Sequence, residues 1–311
     1  MKKFNMKLTF SIFVTVIMVS FVGLAMKLPI AHAAQPTVNL GTAAPFAILA
    51  GSAITNVPTS VITGNVGLSP LSGSFIGLTQ AEVTGTIYSV DAAGPSGRVT
   101  NPGLLTTAKN DLTTAYTDAS GRTPATPLTG SDNQLGGKTL TPGVYSFSHA
   151  DTANLTAASP LTLSGNGVFI FQAESDLITA SASSVALTEG AQACNVFWTV
   201  PSSGSSLGTD SSFVGTIMAY SSINLMTRAS LQGRVLAQTA AVTLDQNTIT
   251  APIECLATTF GGGGSTSVTP KLPNTGTEPG QNTTSLWAIG ISSGIIIVLL
   301  SFIIVQRKRV I

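Results

Sequence analysis

The chain has 311 residues, of which 9% are charged and 6% aromatic, with two histidines, two cysteines and a formal net charge of +1. The charge comes from the ends: between Ala34 and Thr275 there are 7 Lys and Arg against 12 Asp and Glu, so this part is acidic. Without a basic cluster it excludes nucleic acid as a partner. Once a leader is removed, one histidine, His149, remains, with no paired cysteine beside it; this supports neither a metal centre nor a nucleophilic triad. Glu174 and Asp176, the nearest acidic pair, read as a solvated turn. The expectation is a non-enzyme without cofactor or metal.

The leader itself occupies residues 1–33. Lys2, Lys3 and Lys7 precede an apolar run over residues 8–25, and Ala31-His32-Ala33 offers a signal peptidase small residues at both positions it reads. A domain over residues 34–260 follows, rich in Ala, Gly, Ser and Thr. Its single helical pattern covers about 102–120. Asn101 is placed to cap it and Pro102 fits its first turn. Leu104, Leu105, Ala108, Leu112, Ala115, Tyr116 and Ala119 form one apolar stripe, and Gly121 is the expected stop.

Most of the remainder reads as short strands. Residues 209–226, 227–244 and those from Asp245 onward align at an 18-residue spacing without gaps: Phe213, Leu231 and Ile249 share a column, and Gly215 and Gly233 are followed by Ala251. A constant period of β texture predicts a solenoid, whereas a β-sandwich needs none. Earlier strand-like stretches, such as residues 64–66, 85–87, 167–171 and 195–198, are irregularly spaced, so insertions interrupt the repeat.

Three short strands per repeat imply a triangular cross-section with side chains alternating in and out. On the first face Ile217 and Ala219 point in; Thr216 and Met218 point out, with Val168, Ile170, Trp198 and Leu236. That outer surface is too apolar for water and is the expected seat of the helix. The second face has Ile223 and Leu225 inside and Ser222 and Asn224 outside, matched by Ala241, Thr243, Ser184, Ala186, Pro160 and Thr162. The third begins Thr-x-x-Ser: Thr209 with Ser212, Thr227 with Ser230, Asp245 with Thr248, and earlier Thr188 with Ala191. It is slightly favoured as the binding face for that period. Threonine is stiff at χ1 and offers a methyl and a hydroxyl. Strands repeat at about 4.7–4.9 Å, near an oxygen repeat of ice, so a flat array of such residues could order water. A surface adhesin for a sugar or protein is the alternative; Trp198 and Tyr220 are the candidate platforms, with Trp198 assigned to the helix interface.

Cys194 and Cys255 are the only cysteines. Outside the cell two cysteines more often pair than stay free, and a bridge would tie down the end of the domain. Residues 261–271 form a Gly/Ser/Thr linker whose reach as a coil is only about 20 Å. Leu272-Pro273-Asn274-Thr275-Gly276 opens the C-terminal segment, 272–311. An apolar run over 286–305, long enough to span a bilayer, and Arg307-Lys308-Arg309 follow. This order resembles the sorting signal of Gram-positive sortase substrates. The resemblance implies cleavage after Thr275 and a covalent link to peptidoglycan at the cell surface.

The domain resembles the β-solenoid ice-binding family of cold-adapted bacteria, diatoms and fungi. The resemblance rests on residues 38–41, 46–50 and 62–67, on Gly143-Val144-Tyr145, on 190–198 and 213–217, and on 233–237 and 241–245. It implies a right-handed, irregular solenoid with one long helix along a face. It also implies binding to ice, with inhibition of its growth or recrystallisation. Some members carry Thr-[Ala/Gly]-x-[Thr/Asn] at the ice face; Thr227-Arg228-Ala229-Ser230 and Thr209-Asp210-Ser211-Ser212 match it in part, with Arg228 and Asp210 placing bulk and charge in the array.

Overall fold

Runs such as Phe46–Ala50 and Ser212–Ala219 are rich in β-branched and aromatic residues and are broken by Gly, Ser and Asn, a composition that favours short buried strands. The computed structural model describes residues 35–128, 133–147, 153–156, 159–201 and 204–252. The leader, His149, Cys255, the linker, the LPNTG motif, the apolar run and the basic tail lie outside them. No described helix is long and apolar enough to cross a membrane.

The strands pair in parallel and form sheets of thirteen, six and three strands. In the largest, Ser212–Ala219 pairs with Ser230–Ala237 from Ser212↔Ser230 to Ala219↔Ala237, which is the 18-residue spacing. Both strands bend at a glycine: Gly215 has φ +114°, and a Cβ on Gly233 would stand 1.9 Å from the Gly215 carbonyl oxygen. The halves before and after the bend therefore face different sides. The sheet of six runs Ala153–Leu155, Leu177–Thr179, Ser205–Leu207, Ile223–Leu225, Val242–Asp245, Ile54–Val57. The sheet of three is Val185–Thr188, Leu161–Ser164, Thr139–Leu140, and a bridge Ser184↔Ser212 continues it into the largest.

The gapless 18-residue alignment requires a correction. Ile223 pairs with Val242 and Asn224 with Thr243, 19 positions apart, while Leu231 pairs with Ile249, 18 apart. One residue is added in the turn after Ala237 and removed in the next. A second correction follows from a 19-residue offset between Phe197 and Thr216. Because side chains alternate, a one-residue slip exchanges the two faces. Trp198 therefore points inward, and Phe197 lies under the helix instead. Trp198 is 1% exposed, its indole N–H donates to the Val214 carbonyl at 3.0 Å, and its ring stacks on Phe171 at 3.9 Å. The ring file continues to Tyr145 and Phe213.

The order in space is not the order in sequence. Phe46–Ala50 lies between Asn65–Leu68 and Ser230–Ala237, with Ile48 opposite Val235. Ile54 meets Val242 and Ile62 meets Ile249. The first repeat of the chain thus seats on its last regular one. The chain then travels to the far end of the largest sheet, where Thr126–Leu128 is the terminal strand, by way of the helix Pro102–Gly121. Twenty helical residues cover about 30 Å.

Asn101 caps this helix by accepting from the Leu104 amide at 3.0 Å. Leu105, Ala108, Leu112, Ala115 and Ala119 are its buried side. They pack with Val144, Val168, Ile170, Phe197, Met218, Leu236, Phe46 and Leu49 in a second core, separate from the one inside the sheets. Lys109 donates to the carbonyls of Ala237 at 2.7 Å and Gln238 at 2.5 Å. The helix runs through Gly121 and ends on Arg122 in extended backbone, where Gln172 donates to the carbonyls of Ala119 and Arg122.

Candidate functional site

Alternation holds throughout the six-stranded sheet. Leu177, Ile223, Leu225, Val242, Leu244 and Ile54 are buried, and the residues between them face out. The pairings Asn154↔Ile178, Ile178↔Ser206, Ser206↔Asn224, Asn224↔Thr243 and Thr243↔Thr55 join one outward residue per strand into a single row. Asn224 and Thr243 were expected on this surface. Ser206 was missed although the Ser205-Ser206-Leu207 alternation signals it; Thr55 has no local signal, because it reaches the row through a pairing across 188 positions. Ser222 borders the row at the start of its strand, where its carbonyl accepts from Ser205 N. The surface also exposes Ile178 (43%), Met226 (46%) and Val57 (54%). The outer row contains no lysine or arginine.

Thr162 and Ser184 are not on this surface, contrary to the sequence reading. Thr162 pairs with Thr139 and Ala186 in the sheet of three, and Ser184 bridges Ser212. Pro160 and Ala186, the other residues matched with them, go to the third side for the same reason. The insertions before residue 209 shift this part of the chain by a whole side, which a period read from residues 209–250 does not register.

The third side carries the row Ser184, Ser212, Ser230, Thr248, Val61. Beside it, Gln232, Thr250, Thr63 and Thr84 form a second row. Thr188 pairs with Ser164, four positions beyond Ser184, so it stands off the Ser212 row. Thr209 and Thr227 are not on a flat strand but at a corner. The Thr209 carbonyl accepts from Ala182 N, and the Thr227 hydroxyl donates to the Asp245 carboxylate at 2.5 Å. One residue per repeat adopts left-handed backbone here: Ala182, Asp210, Arg228 and Gln246, with φ between +54° and +57°. Such a conformation is uncommon for residues other than glycine.

That corner also relocates the charge expected within the array. Arg228 donates to both Asp210 carboxylate oxygens, at 2.7 and 2.8 Å, and this hydrogen bonding holds the Asp210 carboxyl below its ordinary range. The pair sits at the edge of the third side, outside its rows. The Thr-x-x-Ser period is therefore half corner and half strand.

At the end of the six-stranded sheet, Asn56 turns inward to Glu82. Glu82 is 7% exposed. Its carboxylate accepts from Asn56 Nδ2 at 2.8 Å and from Ser60 N, Thr79 N and the Thr79 hydroxyl at 2.9 Å each. Burial alone would raise its pKa, but these hydrogen bonds outweigh that and lower it. Among the described residues no three His, Cys, Asp or Glu side chains gather as a metal site. Tyr220 is exposed at 52%, whereas Trp198 is buried and presents no platform.

The family model described as Ice-binding-like matches residues 48–250. An ice-binding protein of Flavobacterium frigoris (strain PS1) is 47% identical over 217 residues, 69% of this chain and 76% of that one. An ice-binding protein of a Colwellia species is 43% identical over 220 residues, covering 70% and 85%. Among solved structures, the ice-binding protein of an Arctic yeast, studied for its antifreeze activity, superposes with a TM-score of 0.62 at 30% identity, over 76% of this chain and 98% of the other. An ice-binding protein from an Antarctic biological consortium gives 0.60 at 36% identity, over 72% and 95%.

Proposed function

Because the chain belongs to the Ice-binding-like family, we propose that it adsorbs to ice through the outer side of its six-stranded sheet and so inhibits ice growth or recrystallisation. The observation that carries this is the unbroken row Asn154, Ile178, Ser206, Asn224, Thr243, Thr55, in register across every strand of that sheet. Its rungs are about 4.7–4.9 Å apart and its neighbouring outward positions about 6.6 Å away along each strand. Short side chains held at this repeat present hydroxyls, amides and methyls without a mobile charge, so a layer of water can take up a lattice-like order against them. Adsorption then comes from many weak contacts made at once. The third side is the weaker candidate: a single bridge joins its two parts, Gln232 interrupts it, and half of its Thr-x-x-Ser period lies on a corner.

The same reading takes the stacked repeats as an irregular right-handed β-solenoid of triangular cross-section. Parallel pairing at 18- and 19-residue offsets, with three strands per repeat, supports it. The ordered C-terminal signal supports display on the cell wall: signal peptidase removes the leader and a sortase joins Thr275 to peptidoglycan, so the domain protects the cell or holds it to ice. Wall digests should contain peptides ending at Thr275 linked to peptidoglycan fragments; recovery only of intact chains retaining Arg307 would refute anchoring.

The test of the face uses Thr243→Tyr and Ser230→Tyr, each pointing outward on a different side. Thermal hysteresis and recrystallisation inhibition should fall for Thr243→Tyr and persist for Ser230→Tyr, with unfolding temperatures unchanged. The reverse pattern moves the site to the third side. A parent that neither alters ice growth nor partitions into ice defeats the functional reading and leaves the surface-adhesin alternative.

A further inference from the structure

The seam where the first repeat seats on the last regular one crosses the corner between the helix-covered side and the six-stranded sheet. On other rungs of this corner one hydrogen-bond series recurs. The amide that follows a strand donates to the carbonyl that ends the strand on the neighbouring rung: Tyr220 N to Val200 O at 2.9 Å, Gln238 N to Ala219 O at 2.8 Å, and Ser69 N to Ala50 O at 3.2 Å. The next amide along continues it, with Thr239 N on Tyr220 O at 3.1 Å.

At the seam the series breaks. Three residues separate Ala219 from Ile223 and Ala50 from Ile54, but four separate Ala237 from Val242. The longer turn bulges over Gly51, where a Cβ would stand 2.4 Å from the Thr239 carbonyl carbon. By the series, Gly51 N and Ser52 N are due at Ala237 O and Gln238 O; both go instead to Ala240 O, at 3.0 and 3.2 Å. Backbone acceptors at a packed corner need a donor. The two carbonyls passed over are the two that Lys109 Nζ meets, at 2.7 and 2.5 Å, from a helix position 128 and 129 residues away in the chain. Burial lowers the Lys109 pKa to about 8, so at neutral pH it is an ammonium, whose N–H donors suffice for both.

We propose that Lys109 is a positioning residue: its ammonium replaces the two diverted amides at the seam and so holds Ile54–Val57 in register on Val242–Asp245. The pairing held there is Ile54↔Val242 and Thr55↔Thr243. The helix then does more than cover an apolar surface, because it supplies the donors that let a four-residue turn lie against a three-residue one. A slip of one residue at this seam would turn Ile54 outward and Thr55 inward, cutting the outer row beyond Thr243. That last consequence alone rests on the proposed ice face.

Hydrogen exchange of the secreted chain at pH 7, read amide by amide, tests the seam in the parent, Lys109→Met and Lys109→Arg. In Lys109→Met the Gly51, Ser52 and Thr55 amides should exchange about tenfold faster, the change expected when donors worth about one hydrogen bond are lost from a local opening. Ile217 and Leu112 should keep the parent's rates. Unchanged rates at the seam overturn the proposal, and so does an equal rise at the seam, in the long strands and in the helix, which is general destabilisation. Lys109→Arg keeps N–H donors for two carbonyls and should return most of the protection; equal acceleration in the Arg and Met chains assigns the effect to packing and also overturns it. Thermal hysteresis of the same chains should fall in Lys109→Met and recover in Lys109→Arg. A parent inactive towards ice removes that consequence and leaves the exchange result standing, whereas an active parent with an undisturbed seam in Lys109→Met sinks the positioning role and leaves the ice face standing.

Discussion

The helix-covered side and the six-stranded sheet are built from the same repeats and have different fates. Met218 and Leu236 point out of one side of two successive repeats, and Asn224 and Thr243 point out of the next side of the same two. The backbone is alike in both places, with parallel strands in register. The outward chemistry differs: on the covered side Val144, Val168, Ile170, Phe197, Met218 and Leu236 make a continuous apolar surface that Leu105, Ala108 and Leu112 cover. On the open side the corresponding row is short, mostly polar and uncharged. An apolar sheet surface acquires a cover because burying it is favourable by about 25 cal/mol per Å²; a row of Asn, Ser and Thr has no such need and remains available to a flat partner.

The largest break in this contrast should come from Leu112→Ala, which opens a cavity under the helix. We expect a loss of about 2–5 kcal/mol, read from denaturant unfolding, with ice adsorption retained by the folded fraction. Thr243→Tyr is its converse on the open side, changing stability by less than about 0.5 kcal/mol while reducing activity. If Leu112→Ala leaves stability unchanged, the helix is an ornament and not a cover.

Next is Glu82, which closes the end of the open sheet through Asn56. Glu82→Ala leaves the Ser60 and Thr79 amides without their acceptor and should cost about 1–3 kcal/mol. The folded pKa lies below the ordinary 4.5, so the folded state binds this proton less readily than the unfolded one. Its stabilisation is therefore present above about pH 4.5 and is lost as the pH falls through the folded value. The difference in urea midpoint between parent and variant should shrink from pH 6 towards pH 3; a constant difference would contradict the carboxylate's role.

Removing the helix cap by Asn101→Ala should cost about 1 kcal/mol, a smaller effect on the covered side, measured by thermal unfolding. The smallest effect is expected at the corner. The Arg228–Asp210 pair is exposed, with side-chain exposures of 57% and 49%, so water and salt screen it. Arg228→Gln should leave both stability and ice activity nearly unchanged. A marked loss of activity would place the corner inside the binding surface and enlarge the site beyond one sheet.

The sequence by itself determined whatever depends on near neighbours. It located the helix, its cap and its buried stripe, the 18-residue spacing of the long strands, and the inward and outward positions of residues 216–219, 223–225 and 242–244. These rest on periods of 3.6 and 2 that are written locally. Only the tertiary structure decided which strands meet. Backbone hydrogen bonds carry no label for their partner, so nothing near Ile48 announces Val235, and nothing near Thr55 announces Thr243. An offset of 19 instead of 18 put Trp198 inside and Phe197 under the helix. Insertions before residue 209 carried Thr162 and Ser184 from the side first read for them to the third side, Ser184 into the row of Ser212 and Thr162 beside Thr139 and Ala186. Corner geometry took Thr209 and Thr227 off the flat array. In each case the deciding quantity was the register between segments distant in the chain. Register is set by how whole side-chain sets pack across the stack, and no window of the sequence contains both partners.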